Sequence, residues 1–306
     1  MILLLILTDF SYTIIVVPNF RFYCTNIETK TMSEGETEFQ RHIRMLKNND
    51  PIHSTVIFNN EDIDDNQVAE LGEALQANTH VFKVELQENK IGLEGVKSLT
   101  KVVKDKETIQ VVNLAGNKIG AEGGKEVAQM LRECKSLEEL RLGGNELGDD
   151  GAREIAHALQ EANGSLRILS LDNNSIGDDG TKELASVLTQ DDSLPRIDLS
   201  NNKIGDQGTM AISDMLKHNN KLLNINLSSN DIDEQGAQAL IDAMRDNNAT
   251  MTMLRVDGND RIGEGLTKEI NDLCERNTRG EGPGTNSPGG PATDQGCSGS
   301  KACLIL

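Results

Sequence analysis

The sequence of 306 residues contains no tryptophan, and aromatic residues make up only 3% of it. The few aromatic side chains are concentrated at one end of the chain. Of two Tyr and six Phe, five lie within the first 23 residues: Phe10, Tyr12, Phe20, Phe22 and Tyr23. Residues 1–31 therefore differ in composition from everything that follows, and they are interpreted as a foreign apolar N-terminal segment.

Positive charge is also scarce. The sequence has 30 Lys and Arg against 49 Asp and Glu, which gives a net charge of −19 at pH 7. Proteins that bind nucleic acids neutralise phosphates with Lys and Arg, and a large excess of carboxylates repels the same phosphates. The charge balance therefore predicts no nucleic-acid partner.

Cysteine is too sparse for a disulfide framework. The five cysteines are an odd number, and none lies close to another in a paired spacing. Small disulfide-rich folds need far denser cysteine than this. The pattern favours a reducing compartment.

No apolar stretch is long enough to span a membrane as a helix. The chain begins MILLLIL, but Asp9 interrupts the run well before about 18 consecutive apolar residues. A secretory signal would need a basic start, and no basic residue precedes Arg21. Two interpretations stay open, a signal-like segment or sequence upstream of a true start at Met32. Residues 32–55 are interpreted as an N-terminal cap.

The middle of the chain repeats itself. L-x-L segments such as Leu140 and Leu142 alternate as a short strand does when one of its faces is buried. Later in the same repeat, apolar residues four apart such as Ile155 and Leu159 predict one face of a helix. Seven asparagines recur at intervals of 28 or 29 residues: Asn89, Asn117, Asn145, Asn174, Asn202, Asn230 and Asn259.

This period and the L-x-x-L-x-L-x-x-N pattern predict a leucine-rich repeat fold. A single strand-helix unit cannot cover its own apolar face, so neighbouring units must stack. We therefore predict an α/β leucine-rich repeat solenoid, a horseshoe of about eight repeats of 28–29 residues over residues 56–276. Parallel strands should line the inside and helices the outside. The first repeat carries Glu61 in place of the asparagine.

The recurring glycines and asparagines are predicted to be structural. The segment Gly120-Ala-Glu-Gly-Gly-Lys125 approaches a phosphate-binding loop, but Glu126 stands where that motif needs Ser or Thr. Gly-x-x-Gly pairs recur in most of the repeats, which indicates that they turn the chain from strand to helix. An asparagine amide can both donate and accept, so the asparagine ladder should satisfy backbone groups in buried turns.

No local pattern predicts an active site. The five histidines are scattered without the spacing of a metal site: His42, His53, His80, His157 and His218. We predict no catalytic residue, no metal and no cofactor, and hence a non-enzymatic protein.

The inner surface of the solenoid is the predicted binding face. A solenoid usually binds its partners on its concave side. The middle exposed position of successive repeats is expected to hold residues of mixed sign and size: Glu85, Asn113, Arg141, Ser170, Asp198, Asn226 and Arg255. These residues predict a protein-binding scaffold.

The tail has a different composition again. Residues 277–302 are rich in Gly, Ser, Thr and Pro, which predicts a flexible linker. Residues 303–306 read Cys-Leu-Ile-Leu, the C-a-a-X prenylation signal in its geranylgeranyl form, with Cys303 as the acceptor. One lipid anchors a protein only marginally, so palmitoylation of Cys297 is a candidate second signal. The motif predicts a cytoplasmic protein on the cytoplasmic face of a membrane.

Two family resemblances carry the functional expectation. The 28-residue repeat with N-x-I-G-x-x-G resembles the ribonuclease-inhibitor-like class of leucine-rich repeats over residues 56–276. Residues 46–51 (LKNNDP), the Asn59-Asn60 pair and residues 73–81 (EALQANTHV) resemble the start of the leucine-rich domain of tropomodulins. Tropomodulins cap the slow-growing ends of actin filaments, so this resemblance implies a contact with actin and the cytoskeleton.

Two other functions stay open. The Ran GTPase-activating protein has the same class of repeat, which makes a regulator of a small GTPase or signalling complex the alternative. An extracellular recognition protein is the third possibility if residues 1–31 are a signal peptide. Glycans at the sequons of Asn163, Asn173 or Asn248 would favour the extracellular protein.

Overall fold

The computed structural model describes residues 35–162 and 164–283. Within these ranges, eight strands alternate with nine helices. The strands are β1 (Thr55–Ile57), β2 (Lys83–Glu85), β3 (Val111–Asn113), β4 (Glu139–Arg141), β5 (Ile168–Ser170), β6 (Arg196–Asp198), β7 (Asn224–Asn226) and β8 (Met253–Arg255). The helices are α1 (Glu38–Lys47), α2 (Asp65–Gln76), α3 (Leu93–Val103), α4 (Gly120–Glu133), α5 (Gly148–Glu161), α6 (Asp178–Leu188), α7 (Asp206–Leu216), α8 (Glu234–Asp246) and α9 (Glu264–Thr278).

The eight strands form one parallel sheet in chain order, β1 to β8. Partners in neighbouring strands lie 28 or 29 residues apart, as for Thr55 and Lys83 or Glu139 and Ile168. The predicted α/β leucine-rich repeat solenoid of parallel strands and helices is confirmed.

The sheet must lie on the inner side of the arc. Hydrogen-bonded strands are about 4.8 Å apart, whereas packed helices need about 8–10 Å between their axes. A stack that pairs one strand with one helix in each repeat therefore bends toward the strands. The open face of the sheet becomes the concave surface.

One continuous aliphatic core runs between the sheet and the helices. The central residue of each strand is buried, as are helix residues such as Ile155 and Leu159. At the N-terminal end, α1 buries Ile43 and Leu46, and the rings of Phe39 and Phe58 lie 5.2 Å apart. These contacts cover the first repeat.

Helix α9 closes the other end and extends beyond the predicted end of the repeat domain at residue 276. It runs to Thr278, and the buried Asn277 donates through Nδ2 to the carbonyl oxygens of Asn248 (3.1 Å) and Met251 (3.0 Å). The linker predicted from residue 277 therefore cannot begin there, because these bonds tie Asn277 to the preceding repeat. The rest of that predicted linker, from residue 284, lies outside the described residues.

The seven ladder asparagines are buried, each 9% exposed or less. Asn202 is representative. Its Nδ2 donates to the carbonyl oxygens of Leu171 (3.0 Å) and Leu199 (3.0 Å), and its Oδ1 accepts from the N–H groups of Asn174 (3.0 Å) and Ile176 (3.0 Å). One side chain therefore satisfies buried backbone groups of its own repeat and of the preceding one. In the first repeat, Glu61 itself donates its backbone N–H to Asn89.

Each of the seven ladder asparagines follows a residue with left-handed backbone, and so does Glu61 at the same position of the first repeat. The φ angles at these eight turn positions lie between 53° and 72°. The left-handed residue turns the chain out of the strand, so that the next side chain points back into the core. The positions are Asn60, Glu88, Gly116, Gly144, Asn173, Asn201, Ser229 and Gly258.

Helices α3 to α7 begin in two different ways, and the preceding repeat decides which. Before α6, Gly177 is extended (φ −101°) and its N–H donates to Oδ1 of Asp149 at 2.7 Å, in the first turn of α5. Asp65 and Asp178 do the same for the glycines that precede α3 and α7.

Helices α4 and α5 follow repeats that lack this aspartate, because Leu93 and Ala121 occupy its position. Their first residues, Gly120 and Gly148, then have positive φ (65° and 59°). The N–H of Gly120 donates to the backbone oxygen of Asn145 at 2.9 Å. Within the described residues, the Oδ1 of Asn145 is the one ladder oxygen without a hydrogen-bond partner.

A second set of buried asparagines, not predicted from the sequence, lies near the helix C-termini. Asn78, Asn219, Asn248 and Asn277 are each 6% exposed or less. Asn248 is bonded through Nδ2 to the carbonyl oxygens of Leu216 and Asn219. A glycan at the Asn248 sequon is incompatible with this burial. Asn173 is exposed, and Asn163 lies outside the described residues.

We expect Asn202→Ala to lower the free energy of unfolding by about 3 kcal/mol or more, because it orphans several buried backbone groups at ~1–3 kcal/mol each. The matched control is Asn201→Gly. Asn201 is the exposed, left-handed neighbour, so glycine should change stability by less than about 1 kcal/mol. Urea unfolding followed by circular dichroism measures both, and equal effects would contradict the structural role of the ladder.

Asp178→Ala should lower the free energy of unfolding by about 1–2 kcal/mol, because Oδ1 accepts from the N–H groups of Gly205 and Gly208, both at 2.8 Å. Asp179 is adjacent and in the same first turn of α6, but its carboxylate is exposed and faces only Lys182 at 3.6 Å. Asp179→Ala should cost less than about 0.5 kcal/mol. The same urea experiment decides between a specific cap and a general helix-dipole effect, which would make the two losses similar.

Candidate functional site

Two columns of side chains cover the concave face, and we call them the first and the third column after the position of their residues in each strand. The central residue of each strand points into the core, so the first and third residues point away from it. The sheet register aligns the seven predicted face residues as neighbours in the third column. Ile57 of β1 continues the same column and is 52% exposed.

Asn113 departs from the expected exposure. It is only 3% exposed, because its Nδ2 donates to Oε1 of Gln87 at 2.7 Å and its Oδ1 accepts from the N–H of Ala115. The prediction that Asn113 is exposed was therefore wrong. The other six positions are half-buried or exposed.

Charges in the N-terminal half of the face neutralise one another. Lys83 Nζ lies 2.7 Å from Oε1 of Glu85 on the same strand. Arg141 forms an ion pair with Glu139, also on its own strand, across one intervening residue. These pairs link the first column to the third and leave little uncompensated charge there.

The C-terminal half is arranged differently. The carboxylate of Asp198 accepts from the hydroxyl of Ser200 (2.7 Å) and from Nδ2 of Asn226 (3.1 Å). Arg196 and Arg255 are exposed and form no ion pair with any described residue. Together with Met253, they border a depression of about 50 Å³. A depression of that size is too small for a cofactor.

A larger cavity, of about 530 Å³, lies on the convex side between α2 and α3. Burial lowers the pKa of Lys106 on its wall. The Nζ of Lys106 donates to the backbone oxygens of Gln76 (2.7 Å) and Asn78 (2.8 Å), which bonds it to the C-terminal end of α2. This lysine therefore has a structural role as a helix cap.

Two of the histidines and both described cysteines lie in the core or its N-terminal cap. The rings of His42 and His53 lie 6.0 Å apart, the ring of His42 lies 5.1 Å from that of Phe58, and burial lowers the pKa of His53. Cys134 and Cys274 are buried, and burial raises the pKa of the Cys274 thiol. The predicted lipid acceptors, Cys297 and Cys303, lie outside the described residues.

Residues 35–162 and 164–283 contain neither a metal-binding group nor a membrane-spanning helix. There, His, Cys, Asp and Glu form no group of three that could hold a metal ion. In the same ranges, every helix is too short or too polar to cross a membrane.

The residues at the first position of each strand were not among the predicted face residues. Arg196 and Met253 lie two residues before Asp198 and Arg255, on the same side of their strands. The period of two in a strand could have found them, since residues i and i+2 share a face. The open face is therefore two side chains wide on each strand and mixed in charge.

Comparison with known proteins gives two family matches. Residues 35–177 match the TMOD/LMOD leucine-rich domain, and residues 193–213 and 218–240 match a leucine-rich repeat model. No curated protein matches the chain.

Two solved structures are similar to it. The Caenorhabditis elegans tropomodulin C-terminal domain is 17% identical with a TM-score of 0.40, over 60% of this chain and 93% of that one. The actin-binding site 2 of leiomodin-1 is 18% identical with a TM-score of 0.24, over 80% of this chain and 91% of that one.

Proposed function

We propose that this leucine-rich repeat protein, which resembles tropomodulin, is a non-enzymatic scaffold that binds actin or an actin-containing assembly through its concave face. The observation that carries the proposal is the match of residues 35–177 to the tropomodulin and leiomodin leucine-rich domain. The name of the leiomodin-1 structure assigns an actin-binding site to that protein. The corresponding role here is the simplest function for a face without catalytic groups.

The architecture suits binding because the face is preorganised. Its strands are held in register by backbone bonds, and the turns behind them are held by the asparagine ladder. Little backbone entropy is therefore lost when a partner docks on it. Side chains of mixed sign supply specificity more than raw affinity.

A small-GTPase regulator is the alternative, favoured by the predicted membrane anchor at Cys303 and by the repeat class shared with the Ran GTPase-activating protein. In that case a GTPase would occupy the concave face in place of actin. A pull-down with the full chain, read by mass spectrometry, separates the two.

We further propose that Cys303 carries a geranylgeranyl group and that Cys297 is acylated. The support is the sequence Cys303-Leu304-Ile305-Leu306 together with the Gly- and Ser-rich segment before it. The net charge of −19 opposes residence at an anionic leaflet, so a single lipid should give reversible anchorage. The scaffold would then link the cytoplasmic face of a membrane to the cytoskeleton.

The purified full chain should sediment with actin filaments and slow subunit loss at their pointed ends. The expected affinity is on the order of micromolar, typical of a transient interface. Co-sedimentation and a pointed-end depolymerisation assay measure the two effects. Absence of binding at tens of micromolar would remove actin as the partner and leave the GTPase alternative.

Cys303→Ser should release the protein from cell membranes to the cytosol, and Cys297→Ser should weaken its membrane residence without abolishing it. Cell fractionation measures both, with the buried Cys274→Ser as a control that removes a thiol but no predicted lipid site. Intact-mass analysis of the native protein reads the lipid directly. An unmodified C-terminal Cys303 in that material would contradict the anchor.

A further inference from the structure

Five side chains in the last three repeats form what we call the basic-apolar patch: Arg196, Lys221, Leu223, Met253 and Arg255. They come from neighbouring positions on consecutive repeats. The N–H of Leu223 donates to Pro195, the residue before Arg196, at 2.9 Å, and the N–H of Met253 donates to Leu223 at 3.0 Å. The five residues therefore lie in, or just before, the neighbouring strands β6, β7 and β8.

The three cations of the patch have no ion-pair partner among residues 35–162 and 164–283. Arg196, Lys221 and Arg255 are all exposed. Asp198, two residues after Arg196 on the same strand, is already bonded to Ser200 and Asn226. Asp257, two residues after Arg255, is exposed and forms no ion pair with it. The patch thus retains local positive charge on a chain whose net charge is −19. This contrasts with Arg141 and Lys83, which are paired within their own strands.

The patch also exposes apolar surface. Large apolar side chains are exposed at five positions of the described chain, and two of the five, Leu223 (39%) and Met253 (37%), are adjacent here. Exposed apolar groups rimmed by polar ones are typical of protein interaction sites. Methionine is flexible and adapts to the shape of a partner.

We infer that the basic-apolar patch docks an acidic segment of a partner protein, with an apolar side chain of that segment seated between Leu223 and Met253. The cations of the patch attract carboxylates, and Leu223 and Met253 contact the apolar side chain of the segment. Nucleic acid and anionic membrane are disfavoured because the rest of the chain repels both. The inference rests on the proposed scaffold function, but it does not depend on actin being the partner.

The test uses the full chain and two fluorescein-labelled peptides, one of alternating Glu and Leu and one with Gln in place of Glu. Fluorescence anisotropy should show saturable binding of the Glu peptide and at least about tenfold weaker binding of the Gln peptide. Raising the salt concentration should weaken the first peptide's binding, since exposed charges are screened. Equal binding of the two peptides would overturn the charge recognition.

Charge reversal locates the site. Arg196→Glu with Arg255→Glu should weaken the Glu peptide by at least about tenfold. Lys118→Glu with Lys203→Glu is the matched control, because these exposed lysines lie in the strand-to-helix loops and the net charge changes equally. Equal loss in both double variants would show nonspecific charge attraction and overturn the patch. Leu223→Ser with Met253→Ser should lose binding at unchanged charge, and unaltered circular dichroism checks that each variant folds.

The same variants tested with actin filaments keep the two proposals apart. Peptide binding without actin binding supports the patch and contradicts actin as the partner. If the wild-type chain does not bind the Glu peptide, and actin binding survives the Arg196→Glu and Arg255→Glu reversal, the patch is overturned and the actin proposal stands. Patch-dependent binding to phosphatidylserine vesicles, with no binding of the peptide, would assign the surface to lipid and overturn the protein docking.

Discussion

Satisfying buried backbone groups in the turn after each strand is the constraint on which this structure depends. A chain that leaves a strand and enters a helix on the far side of the core must carry N–H and C=O groups through an apolar interior, where each unpaired group costs about 1–3 kcal/mol. The side-chain amide of Asn202 satisfies such groups by hydrogen bonding to the backbone of two repeats at once. Each asparagine therefore couples its repeat to the previous one, and the stack becomes rigid.

The shape and the exposed face follow from that coupling. Once every strand is hydrogen-bonded to the next, the difference in width between strand and helix bends the stack and turns one side of the sheet outward. The core needs only the central residue of each strand, so the flanking positions are free to vary. That freedom permits a paired, neutral surface at Lys83 and Glu85 and an unpaired cationic one at Arg196 and Arg255.

The aspartates at the helix starts show that one repeat determines the backbone conformation at the start of the next repeat's helix. Where Asp149 or Asp178 is present, its carboxylate holds the following glycine in an extended conformation. Where Leu93 or Ala121 replaces it, Gly120 and Gly148 become left-handed and the helix begins at the glycine. At one of these sites, the altered turn leaves Oδ1 of Asn145 without a hydrogen-bond partner in the described chain. The repeats are thus similar in plan and different in detail.

The sequence by itself determined the repeat length, the strand and helix order, the buried position of each strand and the column of the open face. These follow from local periodicity, because a side chain's face depends only on its position within a strand or helix. Only the tertiary structure decided which of those positions are accessible and which charges are compensated. Asn113 has an outward position but is covered by Gln87, 26 residues earlier in the sequence, and Asp198 is bonded to Asn226, 28 residues later. These partners are distant in sequence and adjacent in space, so local patterns cannot report the contacts between them.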